Sequence, residues 1–153
     1  MIQTVRGKIP SSELGVTMAH EHLSVNLAGV RHDEDSIFGY SPLVLEELRR
    51  LRDAGAKSVI EVSCNDMGRN VLDLKRYSEE LGINIVCSTG FYLEVFHPAW
   101  LKDAPTEKIE QVFADELENG IGDTGIKPGV IGEIAGEKTQ ITPSEQKVMR
   151  AAA

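Results

Sequence analysis

Two histidines one residue apart, His20 and His22, close the stretch Gly15-Val16-Thr17-Met18-Ala19-His20-Glu21-His22. On an extended chain successive side chains alternate, so both imidazoles face one side and could grip one metal ion together. Glu21 then turns to the other side, toward a salt bridge or hydrogen bond. A His-x-His pair is also compatible with solvent exposure or an internal hydrogen bond, and its position in the fold has to decide. Glu133 follows a similar run, between Val130, Ile131 and Ile134, where a carboxylate is costly to bury unless it pairs or binds a cation. A strand-end glutamate facing solvent or bonding an arginine is the alternative. Tyr92, at a strand end, reads as a packing residue with a wet hydroxyl. His32 and His97 have no ligand partner at strand or helix spacing and read as solvated loop histidines. Asp66 and Arg69 could contact substrate, but a turn bonded by Asp66 and a helix capped by Asn70 explain that segment without a ligand. Cys64 and Cys87 lack CxxC spacing and read as buried reduced thiols, with a disulfide or thiolate ligation as alternatives.

The elements that position these residues alternate between short β-branched runs and longer segments of helical period, the pattern of a parallel α/β sheet. The runs are Gly15 to Ala19, Lys57 to Ser63, Ile83 to Ser88 and Gly129 to Ile134, with a small hairpin expected over Ile2 to Ile9. Ser41 and Pro42 start a first helix carrying Leu45, Leu48 and Leu51, and Gly55 ends it. Asn70 caps a second, with Val71, Leu74, Ser78 and Leu81 on one face and Gly82 as the stop. Thr106 opens a third, in which Ile109, Val112, Phe113 and Leu117 share a face before Gly120. Thr142, Pro143 and Glu145 form a capping box for a fourth. Segments Leu23 to Tyr40 and Leu93 to Pro105 read as long loops after strand ends.

No glycine or proline closes the fourth helix before Ala153. Four parallel strands alone would leave open edges and an inner face without its opposing layers. Residues 1–153 are therefore expected to be one unit, the first four βα units of a (β/α)8 barrel, cut within helix four. His20, His22 and Glu133 then lie at the C-terminal strand ends, where barrel sites are built.

The formal charge of −8 argues against nucleic acid and an anionic membrane surface, because both need clustered Lys and Arg. The start MIQTVRGKIP contains no apolar stretch of signal-peptide type, which makes the cytoplasm the default location.

Five segments together carry a resemblance: Gly15 to Leu23, Asn65 to Asn70, Ser88 to Tyr92, Gly129 to Ile134 and Lys147 to Ala153. In this order they resemble the phosphotriesterase family of the amidohydrolase superfamily, across essentially the whole chain. The resemblance implies a barrel hydrolase with two divalent metal ions, zinc first, with manganese or cobalt also compatible. It implies that His20 and His22 hold one ion and that Glu133 bridges both, with two histidines and an aspartate expected from later strands. Glu133 stands where many members carry a carboxylated lysine, and so resembles the glutamate-bridged branch of phosphotriesterase homology proteins. The implied chemistry is attack by a bridging hydroxide on a lactone, carboxylic ester or amide, in preference to a phosphotriester. Tyr92 matches an aromatic position near the metals and is a second candidate catalytic residue. The rival expectation is an inactive half-barrel that forms a homodimer or pairs with a second chain supplying the C-terminal half.

Overall fold

The computed structural model describes residues 1–153. Its first strands, β1 (Ile2–Thr4) and β2 (Gly7–Ile9), form the expected antiparallel hairpin. Then come β3 (Thr17–Glu21), β4 (Val25–Asn26), the short helix α1 (Ala28–Arg31), β5 (Ile37–Phe38) and α2 (Pro42–Asp53). They are followed by β6 (Ser58–Glu61), α3 (Val71–Leu81), β7 (Asn84–Val86) and β8 (Ser88–Thr89). The last elements are α4 (Ala99–Asp103), α5 (Thr106–Asn119), β9 (Val130–Ile131) and α6 (Pro143–Ala151). Strands β3, β6 and β7 pair in that order, and β8, which continues β7 past Cys87, pairs with β9. All these contacts are parallel, as the alternation of runs and helices predicts.

Helix boundaries follow the capping chemistry read from the sequence. The Ser41 hydroxyl accepts from Val44 N–H at the start of α2, and Asn70 accepts from Leu72 and Asp73 N–H at the start of α3. Gly82 ends α3 at φ +69°, a left-handed conformation in which its N–H reaches the Ser78 carbonyl. Both halves of the Thr142–Glu145 capping box form at α6. The inward faces of α2 and α3 then meet the sheet, where Leu48, Leu74, Tyr77 and Leu81 pack against Val59, Ile83 and Ile85. A second cluster joins Phe91, Leu101, Ile109, Phe113 and Val148 beneath α5 and α6. No helix is long and apolar enough to cross a membrane.

Several boundaries differ from expectation. The first strand runs Thr17–Glu21 and not Gly15 to Ala19, because Gly15 turns the chain at φ +61° against the Lys57 side chain. The second spans only Ser58–Glu61. The third is interrupted at Cys87, whose carbonyl accepts from Gly129 N–H. The fourth is cut to Val130–Ile131 because Gly132 leaves the extended region at φ +138°. The two long loops carry structure of their own: the first holds the β4–β5 hairpin and α1, and the second holds α4.

Candidate metal centre

At the C-terminal end of the sheet, β3 delivers His20 and brings His22 just past its last residue, and the turn after β9 delivers Glu133. The register of β3 against β6 shifts between Met18 and Glu21. Met18 and Glu21 line a groove beside α2, whereas His22 lines a separate cavity of about 260 Å3 with Glu133 and Tyr92. Glu21 thus faces away from the histidines, as its place between them predicts. Backbone bonds fix the carboxylate arm: Gly132 N–H donates to Thr89 O at 2.7 Å, and Glu133 N–H donates to Val62 O at 3.2 Å. The Cys64 thiol donates to the Glu133 carbonyl at 3.4 Å.

The ligand atoms converge. Glu133 Oε2 lies 3.7 Å from His20 Nε2 and 3.5 Å from His22 Nε2, and the three potential donors all fall within 4.8 Å of one another. Two ligands on one zinc at ~2.0–2.2 Å in tetrahedral geometry would be about 3.4 Å apart, so these separations fit a shared cation. The His22 side chain is 29% exposed and that of Glu133 24%, against 58% for His20, so the site is half-sunk with its open side at His20. Burial holds His22 below the usual histidine range. The Glu133 carboxylate opposes that effect, His20 adds to it and Glu21 opposes it. At neutral pH His22 is then an uncharged imidazole, the form that ligates metals. Its Nδ1 is bonded to Ser63 Oγ at 2.9 Å, which leaves Nε2 for the site.

The sequence matches the Phosphotriesterase family over residues 1–153. The chain belongs to that family. It is 37% identical to the phosphotriesterase homology protein of Escherichia coli over 91% of its own length and 48% of that protein's. The structure of the same E. coli protein, complexed with phosphate in its active site, matches with a TM-score of 0.87 at 36% identity, covering 92% of this chain and 48% of that one. N-acetyltaurine hydrolase of Danio rerio is 31% identical over 99% of this chain and 52% of the relative. A Listeria monocytogenes lactonase matches with a TM-score of 0.88 at 27% identity, over 99% of this chain and 52% of that one. The chain thus spans about half the length of the relatives it matches. The family is metal-dependent, and His20, His22 and Glu133 form a possible metal site in this member.

Tyr92 lines the same cavity as His22 and Glu133. Its backbone N–H donates to both carboxylate oxygens of Asp66 at 3.0 Å, and its ring packs against Phe96. Burial raises the pKa of the phenol, and the nearby Glu133 charge raises it further, so the hydroxyl stays protonated. Asp66 therefore bonds across to the next strand end as well as within its own turn. Arg69 has a structural partner: its guanidinium forks onto Glu116 of α5 at 2.9 and 3.1 Å and also donates to Ser88 O. Of the two loop histidines only His32 is exposed. The expectation for His97 is corrected, because it is held between Ser144 Oγ at 3.0 Å and Tyr92 O at 3.2 Å. Cys64 and Cys87 are buried free thiols. Burial pushes the Cys87 thiol up to about 12.

One group escapes the sequence reading. Glu61, at the end of β6, is fully buried, accepts from Leu23 N–H at 3.1 Å through Oε1, and has no hydrogen-bond partner at Oε2. Burial raises its carboxyl from 4.5 to about 7, with the side chain and amide of Ser63 and the amides of Leu23 and Ser24 acting in the opposite direction. The signal was present in Val59-Ile60-Glu61-Val62, where a carboxylate interrupts an apolar strand as Glu133 does.

Proposed function

We propose that residues 1–153 form the first four βα units of a (β/α)8 barrel and contribute His20, His22 and Glu133 to a two-metal hydrolase centre. The observation that carries this reading is the convergence of three potential ligand atoms from two strand ends within 4.8 Å. Zinc fits the donor set best, with manganese and cobalt compatible. Bound there, the cations would supply a low-pKa water and polarise the scissile carbonyl. His22 holds one ligand position as a neutral imidazole, His20 holds a second at the open side, and Glu133 brings a negative charge between them. Tyr92 keeps a protonated hydroxyl beside Glu133, suited to orienting a substrate carbonyl.

For the substrate we infer a lactone, carboxylic ester or amide in preference to a phosphotriester. The names of the relatives support this, since one hydrolyses N-acetyltaurine and another is a lactonase. The test joins this chain to a second half-barrel carrying the remaining ligands and assays a lactone, an N-acyl amine and a phosphotriester. Glu133→Gln keeps the size of the side chain and removes its charge. The expected result is metal content below two per barrel and turnover lower by orders of magnitude, with unchanged circular dichroism. Full metal content and activity in this variant would remove Glu133 from the centre.

A second reading rests on a separate observation. Strand β3 pairs only with β6, β9 pairs only with β8, and a groove of about 620 Å3 opens beside β3, lined by Met18, Leu23, Ile37, Phe38, Leu43 and Leu51. These features support an inactive half-barrel that covers its edges with a second copy or a second chain. Light scattering combined with the same activity panel separates the two readings.

A further inference from the structure

Tyr92 is gripped through its backbone from two sides. Its N–H donates to both carboxylate oxygens of Asp66 at 3.0 Å, and its carbonyl is bonded to His97 Nε2 at 3.2 Å. A carbonyl can only accept, so His97 carries a proton on Nε2. In the neutral ring Nδ1 is then an acceptor, and the Ser144 hydroxyl, 3.0 Å away, donates to it. Ser144 is buried in the first turn of α6, so His97 is anchored to a helix outside the loop that carries it. Glu145, the next residue, is buried too and accepts from Glu94 N–H at 3.2 Å, which ties the same loop to α6 a second time. Asp66 is also held, because the Cys64 thiol donates to its Oδ1 at 3.3 Å. From this fixed backbone Tyr92 lines the cavity that His22 and Glu133 share.

We propose that Asp66 and His97 are positioning residues that clamp the Tyr92 backbone and so set where its hydroxyl stands in that cavity. Neither of them lines the cavity, so each acts through Tyr92 and not on a substrate. Packing alone does less. The Tyr92 ring lies against Phe96 with centroids 5.5 Å apart, and such apolar contact is non-directional and lets a ring slide. Hydrogen bonds on both sides of the residue fix its depth and direction. The clamp rests on the hydrolase reading only for the use made of the hydroxyl; its bonds can be measured without metal.

The first measurement is nitrogen-15 NMR of the metal-free chain. Wild type should show His97 with its proton on Nε2 and a Tyr92 amide that is shifted downfield and exchanges slowly with solvent. His97→Gln and His97→Asn are the discriminating pair, since the Gln amide nitrogen takes the place of Nε2 and the Asn amide nitrogen that of Nδ1. The Gln variant should keep Tyr92 amide exchange near wild type. The Asn variant, which reaches Ser144 alone, should exchange about 10-fold faster, the worth of one hydrogen bond. Asp66→Ala should lose the downfield shift, and Asp66→Asn, whose amide oxygen still accepts, should recover most of it. The second measurement uses the completed barrel. His97→Asn should lower kcat about 10- to 100-fold with KM little changed, and in a Tyr92→Phe background the same substitution should change neither. A wild-type His97 proton on Nδ1 overturns the clamp, and because it needs no variant, misfolding of a substitution cannot remove the test. Equal losses of kcat with and without the Tyr92 hydroxyl also overturn it, by making His97 a general structural residue. Full activity in Tyr92→Phe with the NMR signature intact would instead sink the role given to the hydroxyl and leave the clamp standing.

Discussion

Replacing Glu61 with Gln should change how stability depends on pH, and the sign follows from the structure. The carboxyl titrates at 4.5 when unperturbed and at about 7 in the folded chain, where burial disfavours its charge. Below 4.5 it is protonated in both states and contributes no proton difference. As pH rises through 4.5 the unfolded chain releases this proton while the folded chain keeps it, so stability falls until the folded group ionises near 7. The interval spans about two and a half pH units, and at ~1.4 kcal/mol per unit the loss is about 3 kcal/mol. The Gln variant has no such proton. Urea unfolding of both proteins at pH 4.5, 6 and 8 should therefore show wild type losing about 3 kcal/mol relative to Glu61→Gln across the series. Parallel curves would mean that Glu61 is solvated or paired in a way its burial and unpartnered Oε2 do not allow.

Three further outcomes are expected. Arg69→Met leaves the Glu116 carboxylate, only 15% exposed, without its cation and with Asn65 Nδ2 as a remaining donor, and should cost about 3–5 kcal/mol in urea unfolding; a variant of normal stability would return Arg69 to a substrate role. Tyr77→Phe removes a hydroxyl that accepts from Ser41 N–H at 2.8 Å and donates to Gly39 O at 2.9 Å. It should cost about 1–3 kcal/mol by orphaning those groups, and an unchanged unfolding midpoint would show that water replaces the hydroxyl. The double variant Phe38→Glu with Leu43→Glu charges the groove beside β3 and should reduce self-association in light scattering without altering unfolding; association at the wild-type level would move the interface elsewhere.

What was legible in the sequence was what local chemistry dictates. Asn70 and Thr142 mark helix starts because a side-chain acceptor near free N–H groups has one favourable use. His20 and His22 share a face because the strand period is two, and the shift of register between Met18 and Glu21 still leaves both at the site. Less legible were features that arise from neighbours. Gly132 could not be read as the end of the fourth strand, since its φ is set by the turn that delivers Glu133. His97 looked solvated because Ser144, its partner, lies on a helix far along the chain. Tyr77 escaped the helical face pattern, although it is fully buried, because its hydroxyl is satisfied by the segment before α2.

The distribution of buried polar groups argues that the C-terminal strand ends are held in place by bonds within this chain. Between the sheet and α2 and α3 the packing is apolar, with Val59, Leu74, Ile83 and Ile85 at or near zero exposure. At the C-terminal strand ends polar groups take over. Ser88 Oγ donates to Ser63 O, Gly90 N–H donates to Asn65 Oδ1, and Tyr92 N–H donates to Asp66. Each bond ties the end of β8 to the segment after β6, and Glu133 N–H to Val62 O ties the turn after β9 to the same place. These groups stabilise less than apolar packing would, because each must recover its own desolvation. Their return is positional: the ends that carry His22 and Glu133 are cross-linked within residues 1–153. If the proposed barrel reading holds, a second half-barrel would meet His22 and Glu133 already aimed, which lowers the ordering cost of completing the site.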